Sequence, residues 1–151
     1  MSPTQRLRMV QRVTDEKERQ QARKLAQSRT RVAQCEAKLK ELQGYQAGYI
    51  RDFDKRAASG IRGAGIREFQ AFLGKLAEAI RQQEELLDKA RSDSDAERSN
   101  WQGAAQRSQI MDKVVERHAA KDSKARDKRE QRETDDRGQR TAKGRLDSGG
   151  N

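Results

Sequence analysis

His118, Cys35 and Trp101 are the single histidine, cysteine and tryptophan of the chain, and imidazole, thiol and indole groups are common building blocks of catalytic, metal and ligand sites. Each stands without positioned partners. One cysteine cannot form an internal disulfide, and Cys35 reads as a small reduced core residue rather than a reactive thiol. His118 reads as a partly exposed helix residue and Trp101 as a packing anchor. Carboxylates such as Glu84, Glu85 and Asp88 are scattered, with no pocket to shift their protonation. Gly60, Gly63 and Gly65 resemble a phosphate cradle, but a P-loop needs a preceding strand and a Gly-Lys-Ser/Thr ending, both missing here. No enzyme, cofactor or metal is expected.

The remaining chemistry is charge. With 34 Lys and Arg against 24 Asp and Glu, the net charge is +10. Basic residues release counterions from phosphates, so nucleic acid is one candidate partner. The bases, however, are interleaved with acids, as in Asp15, Glu16, Lys17, Glu18 and Arg19, and no aromatic residues lie among basic clusters as stacking platforms. A solvated coiled-coil face has this pattern, and nucleic-acid binding is not expected.

These groups must be carried by elements that need little apolar mass: 32% of residues are hydrophobic and 4% aromatic. That is too little for a multilayer core but enough for a seam. In steps of four and three, one ladder runs through Leu25, Ser28, Val32, Cys35, Leu39, Leu42, Gln46, Tyr49 and Phe53. A second runs from Phe69 through Leu73, Leu76, Ile80, Gln83, Leu87, Ala90, Ser94, Glu97, Trp101, Ala104, Ser108, Met111 and Val115 to His118. A mean period near 3.5 keeps one stripe against a partner helix. The fold class is therefore all-α, two long helices in an antiparallel coiled-coil hairpin. Helix 1 is expected over about 3–56, the loop over about 57–65, helix 2 over about 66–120 and a disordered polar tail over 121–151. Ser2 and Pro3 suit an N-cap and a first helical position, and Gly65 with Glu68 resembles half of a capping box. If Phe53 faces Phe69, opposed residue numbers add up to about 122, which sets Leu42 by Ile80 and Gln21 by Trp101. The ladder also predicts an irregular step near Gln21 and polar dilution at Lys17, Gln21, Ser28, Ser94 and Glu97, so the half near the termini should open first.

A two-stranded seam does not need the extra apolar width near the loop. Leu42, Tyr45 and Tyr49 share a face of helix 1, and Phe72, Leu76 and Ala79 repeat the spacing on helix 2; Tyr45, Phe72 and Ala79 lie off the seam. Gly44, Gly48 and Gly74 are interspersed. Two readings stand, thicker packing beneath the loop and an aromatic docking patch.

The run Leu42-Gln43-Gly44-Tyr45-Gln46-Ala47-Gly48-Tyr49, the glycine loop, the run Phe69 to Gln83 and the lone Trp101 together resemble the FliJ family of bacterial flagellar type III export, over residues 1 to about 120. That resemblance implies a cytoplasmic, non-enzymatic coil, similar to the stalk of the rotary ATP synthase gamma subunit and peripherally associated with a membrane-bound export apparatus. The partners it implies are the export ATPase and its regulatory subunit, the cytoplasmic domain of the export-gate membrane protein, and export chaperones. Carried over by position, the gate-binding surface is Leu42, Tyr45, Tyr49, Phe72, Leu76 and Ala79, flanked by Lys38 and Gln83. The basic ends, Arg6, Arg8, Arg12, Arg117 and Lys121, are the implied ATPase contact. The stalk of a virulence-type secretion system and a basic nucleic-acid-binding coil are the alternatives. No apolar run is long enough to insert in a membrane, and Met1 to Val13 has no apolar signal core, which fits a cytoplasmic expectation.

Overall fold

A computed structural model describes residues 1–149. It contains two helices, α1 (Pro3–Ala58) and α2 (Gly63–Ser148), and no strand among the described residues. The start of α1 is doubly capped. Ser2 Oγ accepts from the Gln5 amide at 3.2 Å, and Gln5 Oε1 accepts from the Ser2 amide at 3.1 Å. With Pro3 next in line, the orphan donors of the first turn are largely satisfied. A full capping box thus stands here, while Gly65 and Glu68 do not form one: both lie inside α2, whose first bonds run from the Gly65 and Ile66 amides to the Arg62 carbonyl.

The connection is shorter than the glycines suggested. Residues 59–62 alone are non-helical, and α1 and α2 each claim part of the expected 57–65 loop. Gly60 adopts φ 92°, a left-handed conformation that a side chain disfavours, and this ends α1 as helices commonly end. Gly65 serves packing instead, since a Cβ there would lie 2.8 Å from Ile61 Cγ2.

The chain divides into two compact units. In the loop-side unit, Lys17–Ala104, the ladders face each other as expected. Phe53 stacks on Phe69 with ring centroids 3.7 Å apart, and Tyr49 stacks on Phe69 at 4.9 Å. Leu25, Ile80, Leu87 and Ala104 are buried, as is Ser28, whose hydroxyl donates to the Leu25 carbonyl at 2.7 Å. Arg91 pairs with Glu36 across the helices at 3.3 Å, joining the two positions that directly follow a seam residue, as antiparallel pairing requires.

The terminal unit comprises Met1–Glu16 and Ala105–Asn151. Its register is the same, but beside the half-buried Leu7, Met111 and Val115 polar side chains bond across the helices. Thr4 donates to Asp122 at 3.1 Å and lies 3.4 Å from His118 Nδ1, Gln11 donates to Asp112 at 2.8 Å, and Ser108 donates to Asp15 at 2.6 Å.

Two expectations need correction. The seam has no irregular step: the partly buried positions of α1 continue from Leu25 through Gln21, Glu18, Thr14, Gln11 and Leu7 to Thr4, and Lys17 is exposed beside that line. Polar residues at these positions hide the period from a reading that follows apolar side chains. Nor does α2 stop near 120 in a disordered tail; it is helical to Ser148, although every described residue after Asp122 is exposed. The physical reason is local. Opposite charges recur four residues apart, as in Asp122 and Arg126, Arg129 and Glu133, and Asp136 and Arg140, among residues that favour helix and without proline.

Candidate interaction surface

In the loop-side unit, seam residues are the inward pair of each heptad, and the residue immediately before the first of that pair forms one flank of the hairpin. Tyr45, Phe72 and Ala79 all hold this flanking position, preceding Gln46, Leu73 and Ile80. In an antiparallel pair the two helices present that position on the same side, so one flank gathers all three. Tyr45 is 65% exposed and Phe72 is 42% exposed, the latter with its ring tilted against Tyr49 at 4.4 Å. Tyr49 therefore links the half-buried stack of Phe53 and Phe69 to the surface, while Leu42, Leu76 and Ala79 are half-buried along the same edge.

The recess beside Tyr45 is floored by Gly44, Gly48, Tyr49 and Asp52. A Cβ at Gly44 meets nothing within 4 Å, and one at Gly48 touches only Arg51 Nη2, at 3.8 Å. The fold itself has no use for the missing side chains. Gly74 falls one residue after a seam position, on the other flank, and is likewise unopposed.

The remaining expected residues are placed unevenly. Lys38 is exposed on the aromatic flank and lies 3.9 Å from Glu41. Gln83 turns inward and donates its amide to the Cys35 carbonyl at 3.3 Å, so this polar group is used within the hairpin. Arg6, Arg8, Arg12, Arg117 and Lys121 are all exposed in the terminal unit. Cys35 is a half-buried seam residue with a free thiol. The Trp101 indole donates to Glu18 at 2.8 Å, one turn from Gln21, because long side chains on a helix lean toward a neighbouring turn. On the outer surface of α2, hydrogen bonding from Arg81 holds the Glu78 carboxyl below its ordinary range.

The sequence reading missed Leu86. It is 54% exposed and stands one heptad beyond Ala79 and two beyond Phe72, so it extends the same flank toward Lys38. That seven-residue repetition was the available signal.

Among the described residues no group of three or more His, Cys, Asp or Glu could hold a metal, and no helix is long and apolar enough to cross a membrane. No curated protein and no solved structure matches the chain. A family model does, over residues 3–146, which covers both helices almost from end to end: the chain belongs to the flagellar FliJ protein family, coiled-coil proteins associated with flagellar type III export.

Proposed function

We propose that this protein links the ring of the flagellar export ATPase to the export gate and assists export chaperones, working in the cytoplasm against the membrane-bound apparatus without inserting into the membrane or performing catalysis. The observation that carries the gate half of this reading is the exposure of Tyr45 and Phe72 beside a recess whose glycines no internal contact demands. Exposed aromatics around an open recess are typical anchors for a partner. Leu42, Tyr49, Leu76 and Ala79 supply the apolar margin, and Lys38 the charged edge. Gln83 would have to leave the Cys35 carbonyl to take part, so it is the weakest member of the set. The family match favours the flagellar system over a virulence-type stalk.

The test is Tyr45→Ala with Phe72→Ala. Each aromatic anchor typically contributes about 2 kcal/mol, so each loss should weaken binding to the cytoplasmic domain of the gate protein about thirtyfold. The helical signal, protein level and ATPase binding should persist, and motility should fail. If thermal stability collapses while the folded fraction binds the gate normally, these residues are packing and the gate reading goes. The ATPase half is tested separately. Charge reversal at Arg8 and Arg12 should weaken ATPase stimulation in a salt-sensitive way, because exposed charges steer association. Unchanged stimulation at low salt removes this end of the chain from the contact.

A further inference from the structure

In the terminal unit, Val10, Val13, Ile110 and Val114 are each 39–55% exposed. Val10 and Val114 immediately precede the seam residues Gln11 and Val115 and so occupy the flanking position that an antiparallel pair presents on one side. Val13 and Ile110 lie one turn along and slightly further out on that side. Their register matches, since 10 with 114 and 13 with 110 add up to nearly the same number as the hydrogen-bonded pair Gln11 and Asp112. The four therefore form a compact apolar shelf across both helices. Nothing local calls for it. Branched side chains lower helix propensity, and at half-exposed positions they bury little in return.

The charges around the shelf are of one sign. Arg107 and Lys121 hold the flanking position before and after it, and Arg6 and Arg117 hold the outer position that Val13 and Ile110 share. The acids of the paired part of this unit are elsewhere: Asp15, Asp112 and Glu116 fall on the opposite flank, Glu16 on the outward back, and Asp122 in line with the seam, where it accepts from Thr4. Mixed charge along the chain thus leaves the flank of the shelf with a single sign once the register is known.

We infer that this shelf is the docking site for an acidic amphipathic helix of another protein, its apolar stripe laid across Val10, Val13, Ile110 and Val114 and its carboxylates reaching the four basic residues. Charge complementarity selects the partner. A second copy of the chain docking by the same face would bring the two basic rims together. An anionic membrane surface would favour Trp, Phe or Leu on the apolar face, and the shelf has only β-branched residues. The site is independent of the aromatic flank and stands or falls without the gate reading. It shares Arg6, Arg117 and Lys121 with the ATPase contact named above but not Arg8 and Arg12, which lie on the opposite flank and take no part in it.

Two designed helical peptides with the same leucine stripe, one with glutamates and one with lysines on the remaining faces, are titrated into the full chain by fluorescence anisotropy. The glutamate peptide should bind and the lysine peptide should not. A variant with Val10→Ala, Val13→Ala, Ile110→Ala and Val114→Ala should keep its helical circular dichroism, since alanine favours helix, and should bind at least about tenfold more weakly. Arg8→Ala with Arg12→Ala should change binding less than about twofold. No binding of the glutamate peptide, equal binding of both peptides, or full binding by the four-alanine variant overturns the inference. Two parallel measurements can overturn it in favour of another occupant. Sedimentation showing a dimer that the four-alanine variant loses assigns the shelf to a second copy, and flotation with phosphatidylglycerol vesicles that the same variant loses, without peptide binding, assigns it to a lipid surface.

Discussion

The loop-side unit and the terminal unit use one register with opposite chemistry. Every buried residue among those described lies in the loop-side unit, where Phe53, Phe69 and Tyr49 stack and Leu25, Ile80, Leu87 and Ala104 fill the seam. The terminal unit buries none; its seam holds only half-buried apolar residues, Leu7, Met111 and Val115, beside cross-helix hydrogen bonds of Thr4, Gln11, Asp15 and Ser108. Apolar burial stabilises in proportion to area removed from water, whereas a partly exposed hydrogen bond largely replaces one made to water. Pairing geometry is thus conserved along the hairpin while pairing strength is not. A protein that must hold its shape at one place and exchange contacts at another can be built this way.

The comparison breaks most decisively at Leu87, which is 5% exposed. Leu87→Ala should cost about 2–4 kcal/mol of unfolding free energy in denaturant titrations followed by circular dichroism. A cost below that of losing a polar pair in the terminal unit would show that the apolar seam is not the stronger part. A change of opposite sign is expected at Glu97, a seam residue whose Oε2 is buried without a hydrogen-bond partner. Glu97→Leu should stabilise by about 1–2 kcal/mol, because an orphaned polar group is replaced by an apolar one in a seam. Destabilisation would mean that the carboxylate is satisfied in solution.

Smaller effects sharpen the picture in the terminal unit. A double-mutant cycle on Asp15→Ala and Ser108→Ala should give a coupling of about 0.5–1 kcal/mol, and native-state hydrogen exchange should show amides of 5–16 and 105–118 opening before those around Leu87. Equal protection in both units contradicts the asymmetry. The smallest effect concerns acid. The folded Glu78 carboxyl sits below its ordinary value of 4.5 because of Arg81, so its contribution is present above that value and lost as pH falls through the lowered one. Glu78→Gln should therefore lower the melting temperature slightly at neutral pH and not at all in strong acid.

Fold and register were legible because a seam leaves a period that survives single exceptions. Ser28, Gln46, Gln83 and Ser94 keep their places in the ladder despite their polarity, and the facing of Phe53 and Phe69 fixed the remaining pairs. Legibility failed where the period carries no hydrophobicity. Glu18, Thr14 and Thr4 are seam residues that look like surface, and Lys17 lies exposed beside Glu18. After Asp122 the helix has no seam at all, so a reading that equates helix with burial ended it too soon. The interaction surface was half legible. Tyr45 and Phe72 declared themselves by their size, but Leu86 and the Val10, Val13, Ile110 and Val114 group are ordinary aliphatics whose significance depends on which side of the seam each one takes. A side can be assigned only after both helices have been phased.

Constant register across the two helices separates length from recognition. Removing residues 28–34 and 88–94 together would take one heptad from each helix at matched heights and rejoin every remaining pair with its former partner. Removing either alone would slide all pairs beyond the cut by a full heptad, setting Trp101 and Glu18 against new neighbours while the loop-side stack stayed as it was. Evolution can therefore lengthen or shorten such a hairpin only by compensated double events, and insertions in relatives should occur as matched pairs, one in each helix, at equal distance from the turn.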